Sequence, residues 1–417
     1  MPHPSHFHHA VELLQAILGG TLPADSQMDR HFRAHREMGV RDRGFVAETV
    51  YGCLREKRVL EHLCGSDTCT PADLVAAYLV AQGYSARALE NLGYRGEARA
   101  LAERIRGLDR STLPFAVRAN LPDWLAERLC AQLGETEALA LAEALNRPAP
   151  VDLRVNTLKA ERDEVRTRLA QEGFALEPTP YSPAGLRRTE RASLFSTKCF
   201  KDGLFEVQDE GSQLLSYLLE PKRNEMVVDF CAGAGGKTLH IGALMANTGT
   251  VYAFDVAARR LEKLAPRLRR AGLNNVRSVV LGSERDDRVQ RLRGKIDRVL
   301  VDAPCSGTGT LRRNPDIKWR TIDLPALVEA QQRILTAAAQ LLKPGGRLVY
   351  ATCSLLREEN EDVVEAFLHA HGEFRVVPVS EILARRHIPL TMPEPALRLL
   401  PHRHHTDGFY AVALERC

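Results

Sequence analysis

One stretch limits the fold more than any other. Met226 to Phe230 is a near-continuous apolar run interrupted only by Asp229, and it leads into Asp229-Phe230-Cys231-Ala232-Gly233-Ala234-Gly235-Gly236-Lys237-Thr238. Glycines at that density let a ligand approach the backbone closely, and the helix that follows presents free N–H groups at its start. A strand, a glycine loop and a helix in that order belong to an open parallel sheet. Such sheets bind ligands outside the carboxyl ends of their strands.

The sequence beyond Pro221 agrees. Apolar segments at Thr250–Phe254, Val276–Leu281, Val299–Val301 and Arg347–Tyr350 alternate with helical stretches, and Gly408–Leu414 reads as a last strand. That alternation predicts a parallel α/β sheet. The first ~110 residues differ: apolar positions recur at three and four, as in Val11, Leu14 and Leu18, which predicts a small helical bundle. Between Leu121 and Leu219 short strands (Val151–Val155, Phe174–Glu177, Leu204–Val207) mix with helices (Glu161–Glu172, Ser212–Leu219), a small α+β unit. The expected domains are residues 1–115, 116–215 and 216–417.

The glycine loop has two competing readings. A phosphate-binding loop needs a glycine, four residues, then Gly-Lys-Ser/Thr. Gly236-Lys237-Thr238 fits, but Cys231 stands at the first glycine position, and Asp302 would be the metal-holding acid of an ATPase. The other reading is a loop for S-adenosylmethionine. Asp229 ends the first strand and Asp255 ends the next, where a carboxylate can accept both ribose hydroxyls. Phosphate binding has no use for that second acid, so the methyl-donor reading leads.

Two cysteines sharpen it. Strand Val299–Val301 continues into Asp302-Ala303-Pro304-Cys305, and strand Leu348–Tyr350 into Ala351-Thr352-Cys353-Ser354. If the strands are neighbours, both thiols face the pocket of the glycine loop. A single cysteine is usually a small buried hydrophobe, and the other seven are read that way. Neither Cys305 nor Cys353 has a second Cys or His at metal-ligand spacing. A thiolate has a use in methyl transfer to carbon 5 of a pyrimidine: addition to carbon 6 breaks the aromatic conjugation and makes carbon 5 nucleophilic. Asp302 could hydrogen-bond the base and assist protonation at ring nitrogen 3. Amino-group methylation needs no thiol.

Charge bears on the partner. The 417 residues carry a net +4. From Pro221 onward 30 Lys and Arg face 22 Asp and Glu, whereas the first 220 residues hold 27 against 31. The basic excess sits on the α/β half, which is where a polyanion would bind. No apolar run approaches the ~20 residues that span a bilayer. The N-terminus lacks the pattern of a secretory signal, and nine cysteines without small-domain spacing are no disulfide framework. A cytoplasmic protein without membrane contact is expected.

These motifs together resemble the RNA 5-methylcytosine methyltransferases of the RsmB/NOP2/Sun family. The resemblance rests on Asp229–Thr238, on Asp255 with Arg260, on Asp302–Gly309 running on through Leu311-Arg312-Arg313-Asn314-Pro315-Asp316-Ile317-Lys318-Trp319, and on Thr352-Cys353-Ser354. Gly203–Gln213, Leu399–His402 with Asp407–Tyr410, and Leu153–Lys159 resemble further family segments. Arg41–Phe45 and Tyr51–Arg55 resemble a NusB-type helical domain.

The resemblance implies an all-α NusB-like domain, a small α+β RRM-like domain and a Rossmann-like class I methyltransferase domain. It implies Cys353 as nucleophile and Cys305 as the residue assisting product release, a ranking that spacing alone leaves open. Asp302 is the third catalytic candidate. It implies S-adenosylmethionine as cofactor, held by Cys231, Ala232, Gly233, Ala234, Gly235, Gly236, Lys237, Asp255, Arg260 and Asp302. Many members place an acid at the adenine; here Ser283 stands in that place, and Glu284 or a backbone group takes the role. Arg312, Arg313, Lys318 and Arg154 are the expected RNA contacts, with Asp316 and Trp319 near the target base. The expected substrate is ribosomal RNA, with transfer RNA second, and the expected state a monomer. Alternatives are a non-catalytic RNA assembly factor and the P-loop ATPase.

Two features read as unconnected with the chemistry. The histidines at 3–9 and at 402–405 have no structural-zinc spacing, and no metal is expected. The run Arg267-Leu268-Arg269-Arg270 reads as a solvated helix face that could extend an RNA track.

Overall fold

The computed structural model describes residues 3–65, 69–188 and 193–417. It divides into two compact units: residues 1–148 with 310–322, and residues 149–309 with 323–417. The expected boundary at 115 therefore lies inside the first unit.

The first unit is helical. Its helices are α1 (Pro4–Leu18), α2 (Ala24–Ala34), α3 (Val40–Cys64), α4 (Pro71–Ala81), α5 (Ala86–Asn91), α6 (Ala98–Arg106), α7 (Phe115–Arg118), α8 (Asp123–Leu133) and α9 (Glu135–Leu145). The long α3 packs on α1 and α4 and buries Val46, Val50, Leu54 and Leu60. Helix α4 starts where the sequence dictates: Thr70 Oγ1 accepts from Asp73 N, the Asp73 carboxylate accepts from Thr70 N, and Pro71 occupies the first turn. This reciprocal pairing satisfies two otherwise orphaned donors. Helices α8 and α9 join this unit because Asn120, just before them, caps Val59 N on α3 through its side chain at 3.1 Å.

The second unit holds two sheets. The smaller has β1 (Val151–Val155), β2 (Glu177–Pro178), β3 (Gly185–Arg188) and β4 (Phe205–Val207) in the order β2-β3-β1-β4, all antiparallel. Helices α10 (Arg162–Gln171) and α11 (Lys198–Lys201) lie in its connections. That is a ferredoxin-like arrangement. The strand expected over 174–177 shrinks to Glu177–Pro178, because Gly173 turns with positive φ and Phe174 N closes the end of α10 by bonding Leu169 O.

Helix α12 (Glu210–Leu219), buried along its whole length, leads into the larger sheet. There follow β5 (Met226–Asp229), α13 (Gly236–Leu244), β6 (Thr250–Asp255), α14 (Ala258–Leu261), α15 (Leu264–Ala271), β7 (Val276–Val280), α16 (Asp287–Gln290), β8 (Ile296–Asp302), α17 (Leu324–Ala339), β9 (Leu342–Thr352), α18 (Glu361–Ala370), β10 (Phe374–Val377), β11 (Leu397–Leu399) and β12 (Phe409–Arg416). The order is β10-β12-β9-β8-β5-β6-β7, with β11 on β12. Strands β5 to β9 pair in parallel. β10 and β11 pair with β12, and β12 with β9, antiparallel. The sheet is thus mixed rather than wholly parallel. The last strand, reached through α18, β10 and β11, comes back to pair antiparallel with β9.

The central strands read as apolar runs because helices cover both faces. Val227, Val228, Val299, Leu300, Val301, Leu348, Val349 and Tyr350 are all fully buried. Among the described residues, no helix is long and apolar enough to cross a membrane.

Candidate active site

The register of β8 on β9 brings the two cysteine motifs together. Asp302 lies opposite Ala351, so Cys305 and Cys353 emerge side by side past the carboxyl ends of neighbouring parallel strands. Their sulfurs are 3.4 Å apart. The hydrogen-bonding Cys353 sulfur, then burial, pushes the Cys305 thiol up, so Cys305 stays protonated.

Both cysteines line a cavity of about 780 Å³, which the glycine loop also walls. Of the residues expected at the donor, Cys231, Ala232, Gly233, Ala234, Gly236, Lys237, Asp255, Arg260, Glu284 and Asp302 border it. Gly235 stands behind it, at φ +84°, where a Cβ would run into the Leu264 side chain at 2.2 Å. The loop is tied at both ends. Asp255 accepts from Gly233 N and from Ala257 N, each at 2.7 Å. Arg267 Nη1 donates to Ala234 O at 2.5 Å, and Arg154 Nη1 to Gly236 O at 2.6 Å.

The loop's polar side chains face carboxylates. Lys237 Nζ sits 2.6 Å from Asp302, and Thr238 Oγ1 donates to Asp229 at 2.7 Å. Burial works against the Lys237 charge, but Asp302 and Asp229 outweigh it and raise its pKa. This arrangement corrects the P-loop reading. The lysine and hydroxyl that such a loop turns on phosphates and magnesium are both committed to acids, and the first glycine is Cys231.

The cavity suits a cationic donor instead. Asp229 Oδ1 is buried with no partner, and burial pushes the carboxyl up to about 7. A buried acceptor with no partner costs about 1–3 kcal/mol, and a ligand amine in reach would remove that cost. Asp255 keeps lone pairs for a ribose. Glu284 borders the cavity while its carboxylate pairs with Arg333 at 3.2 Å. These residues fit S-adenosylmethionine, with its ammonium, ribose and adenine.

Behind the cysteines lies a residue that sequence reasoning missed. Glu359, fully buried, accepts from Ser306 N at 2.8 Å, from Ser306 Oγ at 2.5 Å, from Ser354 Oγ, and from Gln331 Nε2 at 3.0 Å. Ser306 follows Cys305 and Ser354 follows Cys353, so one carboxylate fixes both loops. In the sequence Glu359 sits in Arg357-Glu358-Glu359-Asn360 and looks like an exposed charge run; its distance from Cys353 was the available signal. Close backbone contact adds to this: Gly309 N donates to Cys353 O, and Gly408 N to Gly309 O, both at 2.8 Å.

The expected RNA contacts are placed otherwise. Arg154 is buried and spent on Gly236 O and Gln208. Its motif locks β1 to the glycine loop instead of meeting phosphate. Lys318 belongs to the helical unit, fully buried, with Nζ bonded to Arg55 O, Asn120 O and Asn146 Oδ1 at 2.9, 3.0 and 2.6 Å. Burial lowers its pKa to about 7. Trp319 Nε1 donates to Leu54 O at 2.7 Å, and Asp316 accepts from Ala24 N at 3.1 Å. This stretch pins helices together. Arg312 is buried with its carbonyl accepting from Arg55, and Arg313 is half-buried. Nor is 267–270 a solvated face: Arg267 and Arg270 both clamp Glu206 on β4.

Residues 216–415 match the family of "16S rRNA methyltransferase RsmB/F", and residues 121–193 its ferredoxin-like domain. A probable ribosomal RNA small subunit methyltransferase B from Synechocystis is 33% identical, covering 94% of this chain and 95% of that one. A crystal structure of a methyltransferase homologue from Pyrococcus horikoshii is 33% identical at a TM-score of 0.64, covering 74% of this chain and all of the other. NSun6 from Pyrococcus horikoshii with SFG, an S-adenosylmethionine analogue, is 24% identical over 71% of this chain and 98% of that one; its TM-score of 0.63 shows the shared fold.

Proposed function

The chain belongs to the RsmB/F methyltransferase family, and from that premise we propose that it transfers the methyl group of S-adenosylmethionine to carbon 5 of a cytosine in small-subunit ribosomal RNA. The observation that carries this is the Cys305–Cys353 pair, at 3.4 Å, inside the cavity walled by the donor loop.

Bound S-adenosylmethionine supplies an electrophilic sulfonium methyl. The chain supplies everything else. Asp229 holds the donor's amine, Asp255 the ribose hydroxyls, and Glu284 the adenine edge. Cys353 adds as thiolate to carbon 6 of the cytosine, forming the S–C6 bond and leaving carbon 5 enamine-like. Carbon 5 then takes the methyl group. Cys305 is the natural partner because its sulfur lies 3.4 Å from that of Cys353, within reach of the same ring. It gives its proton to the activated ring and takes the carbon-5 proton as the S–C6 bond breaks. One net proton leaves to solvent. Asp302, fixed by Lys237, orients the base edge. Glu359 touches no reacting atom; it is a positioning residue for both cysteine loops.

The target base must leave its stack to reach such a cavity, so the RNA is bound with that base flipped out. Bisulfite sequencing of ribosomal RNA from cells with and without the gene tests the reading. Loss of a methylated cytosine in small-subunit RNA is expected. An unchanged ribosomal pattern with a lost transfer-RNA site would move the substrate, and no lost site in any RNA would favour an assembly factor.

A further inference from the structure

We propose a transition-metal site in the helical unit, made by His9, Glu12, His31 and His35, that takes zinc or a cation of the same class. One ligand atom from each of the four lies within 4.8 Å of every other. His9 and Glu12 stand one turn apart on α1; His31 stands on α2 and His35 caps its end. Nothing in the methyl-transfer chemistry uses these residues.

The geometry is already close to a coordination shell. His31 Nε2 and His9 Nδ1 are 3.2 Å apart. The edge of a tetrahedron with metal–nitrogen bonds of ~2.0 Å is about 3.3 Å, so this pair needs almost no movement. The His35 ring lies 4.5 Å from both other rings, centroid to centroid. The three imidazoles and the Glu12 carboxylate converge from α1 and from the end of α2. Glu12 supplies the fourth ligand from the exposed side. His35 Nδ1 is 3.1 Å from the Glu37 carboxylate. A carboxylate on the far ring nitrogen fixes the tautomer and aims the other nitrogen, as the outer partners of metal-bound histidines do. A cavity of about 370 Å³ beside Glu12, His31 and His35 gives an entry path, with Arg30 on its wall.

Ligand chemistry narrows the ion. Three imidazoles and one carboxylate suit zinc, cobalt or nickel; calcium and magnesium would ask for oxygen ligands. Four protein ligands close a tetrahedral shell and leave no position for substrate, so the site is structural. It staples α1 to α2. The sequence did not reveal it because His31 and His35 lie ~20 residues beyond the histidine run at 3–9. Only the turn between the helices makes them neighbours.

The test uses the full chain, stripped with a chelator and dialysed. Zinc chloride is titrated calorimetrically, and cobalt chloride is titrated by visible absorption. Saturable uptake of one equivalent is expected, with the intense d–d bands of tetrahedral cobalt, no thiolate charge-transfer band, and a rise in Tm on zinc addition. His31→Ala/His35→Ala should lose the uptake while still binding S-adenosylmethionine, which shows that the chain folds. Glu12→Gln, which leaves all three rings, should weaken zinc by about 10-fold or more. Absence of saturable uptake by the wild-type chain would overturn the site. So would equal uptake by the double variant, or a thiolate band, which would place the ion on cysteine.

Discussion

Cys305 Sγ and Cys353 Sγ lie 3.4 Å apart, just past the ends of two hydrogen-bonded parallel strands. At that distance one thiol can donate to the other's sulfur. That contact, then burial, pushes the Cys305 thiol up; in the proposed mechanism Cys353 is the nucleophile and Cys305 its proton-carrying partner. Cys353→Ala should therefore lower kcat by a factor on the order of 10⁴ or more and form no covalent complex. Cys305→Ala should instead accumulate a protein–RNA adduct that survives denaturing electrophoresis. Peptide mapping of the adduct checks the assignment: attachment at Cys305 in the wild-type chain would reverse the roles.

Glu359 offers a different kind of prediction. Four donors converge on its buried carboxylate. Glu359→Ala strands them and should destabilise the protein by about 1–3 kcal/mol, the cost of a buried donor left without a partner. Glu359→Gln keeps the shape but replaces one acceptor oxygen with an amide. It should fold, bind S-adenosylmethionine as the wild type does, and lose kcat through misplaced cysteines. A thermal melt, a donor titration and single-turnover rates separate these effects. Weakened donor binding in Glu359→Gln with an unchanged chemical rate would contradict a positioning role.

The cysteine pair and the donor loop show where sequence reading succeeds, and Glu359 where it does not. Cys305, Cys353 and the glycine loop were legible because each follows an apolar strand, and parallel strands deliver their carboxyl ends to one rim. The pairing of β8 with β9 was the one condition left open. Arg154 and Lys318 were misread for a common reason. A basic residue in a motif looks like a phosphate contact, yet backbone carbonyls satisfy a buried cation equally well, and only the fold brings Gly236 O to Arg154 or Asn120 O to Lys318. The Arg267–Arg270 run failed likewise, since Glu206, its partner, lies on a strand 61 residues away from Arg267. Long-range ion pairs leave no local pattern.

Gly309 should tolerate no side chain. A Cβ there would sit 2.2 Å from Gly408 O and 2.8 Å from Cys353 O. Both neighbours are backbone, which cannot swing aside. Gly309→Ala should cost about 1–3 kcal/mol in stability, and because the displaced strand end carries Cys353, kcat should fall further than the loss of folded protein explains. Circular dichroism melts and activity per folded molecule check this. A variant of wild-type stability would mean that the loops slide freely past one another.

Donor binding should depend on pH through Asp229. Its folded pKa is raised to about 7 by burial, against ~3.9 in the unfolded chain. In the free protein the raised value contributes stability that is complete below pH ~4 and is lost as pH climbs to about 7. The Asp229→Asn variant lacks that window, so its stability relative to wild type should improve between pH 5 and pH 8. Binding runs the other way. The donor's ammonium prefers the ionised carboxylate, so affinity should fall about tenfold from pH 8 to pH 6, one unit below the midpoint. Asp229→Asn should bind weakly with a flat profile. Calorimetric titration of S-adenosylmethionine across this range reads the slope directly. A wild-type affinity that stayed constant would mean that Asp229 does not meet the amine.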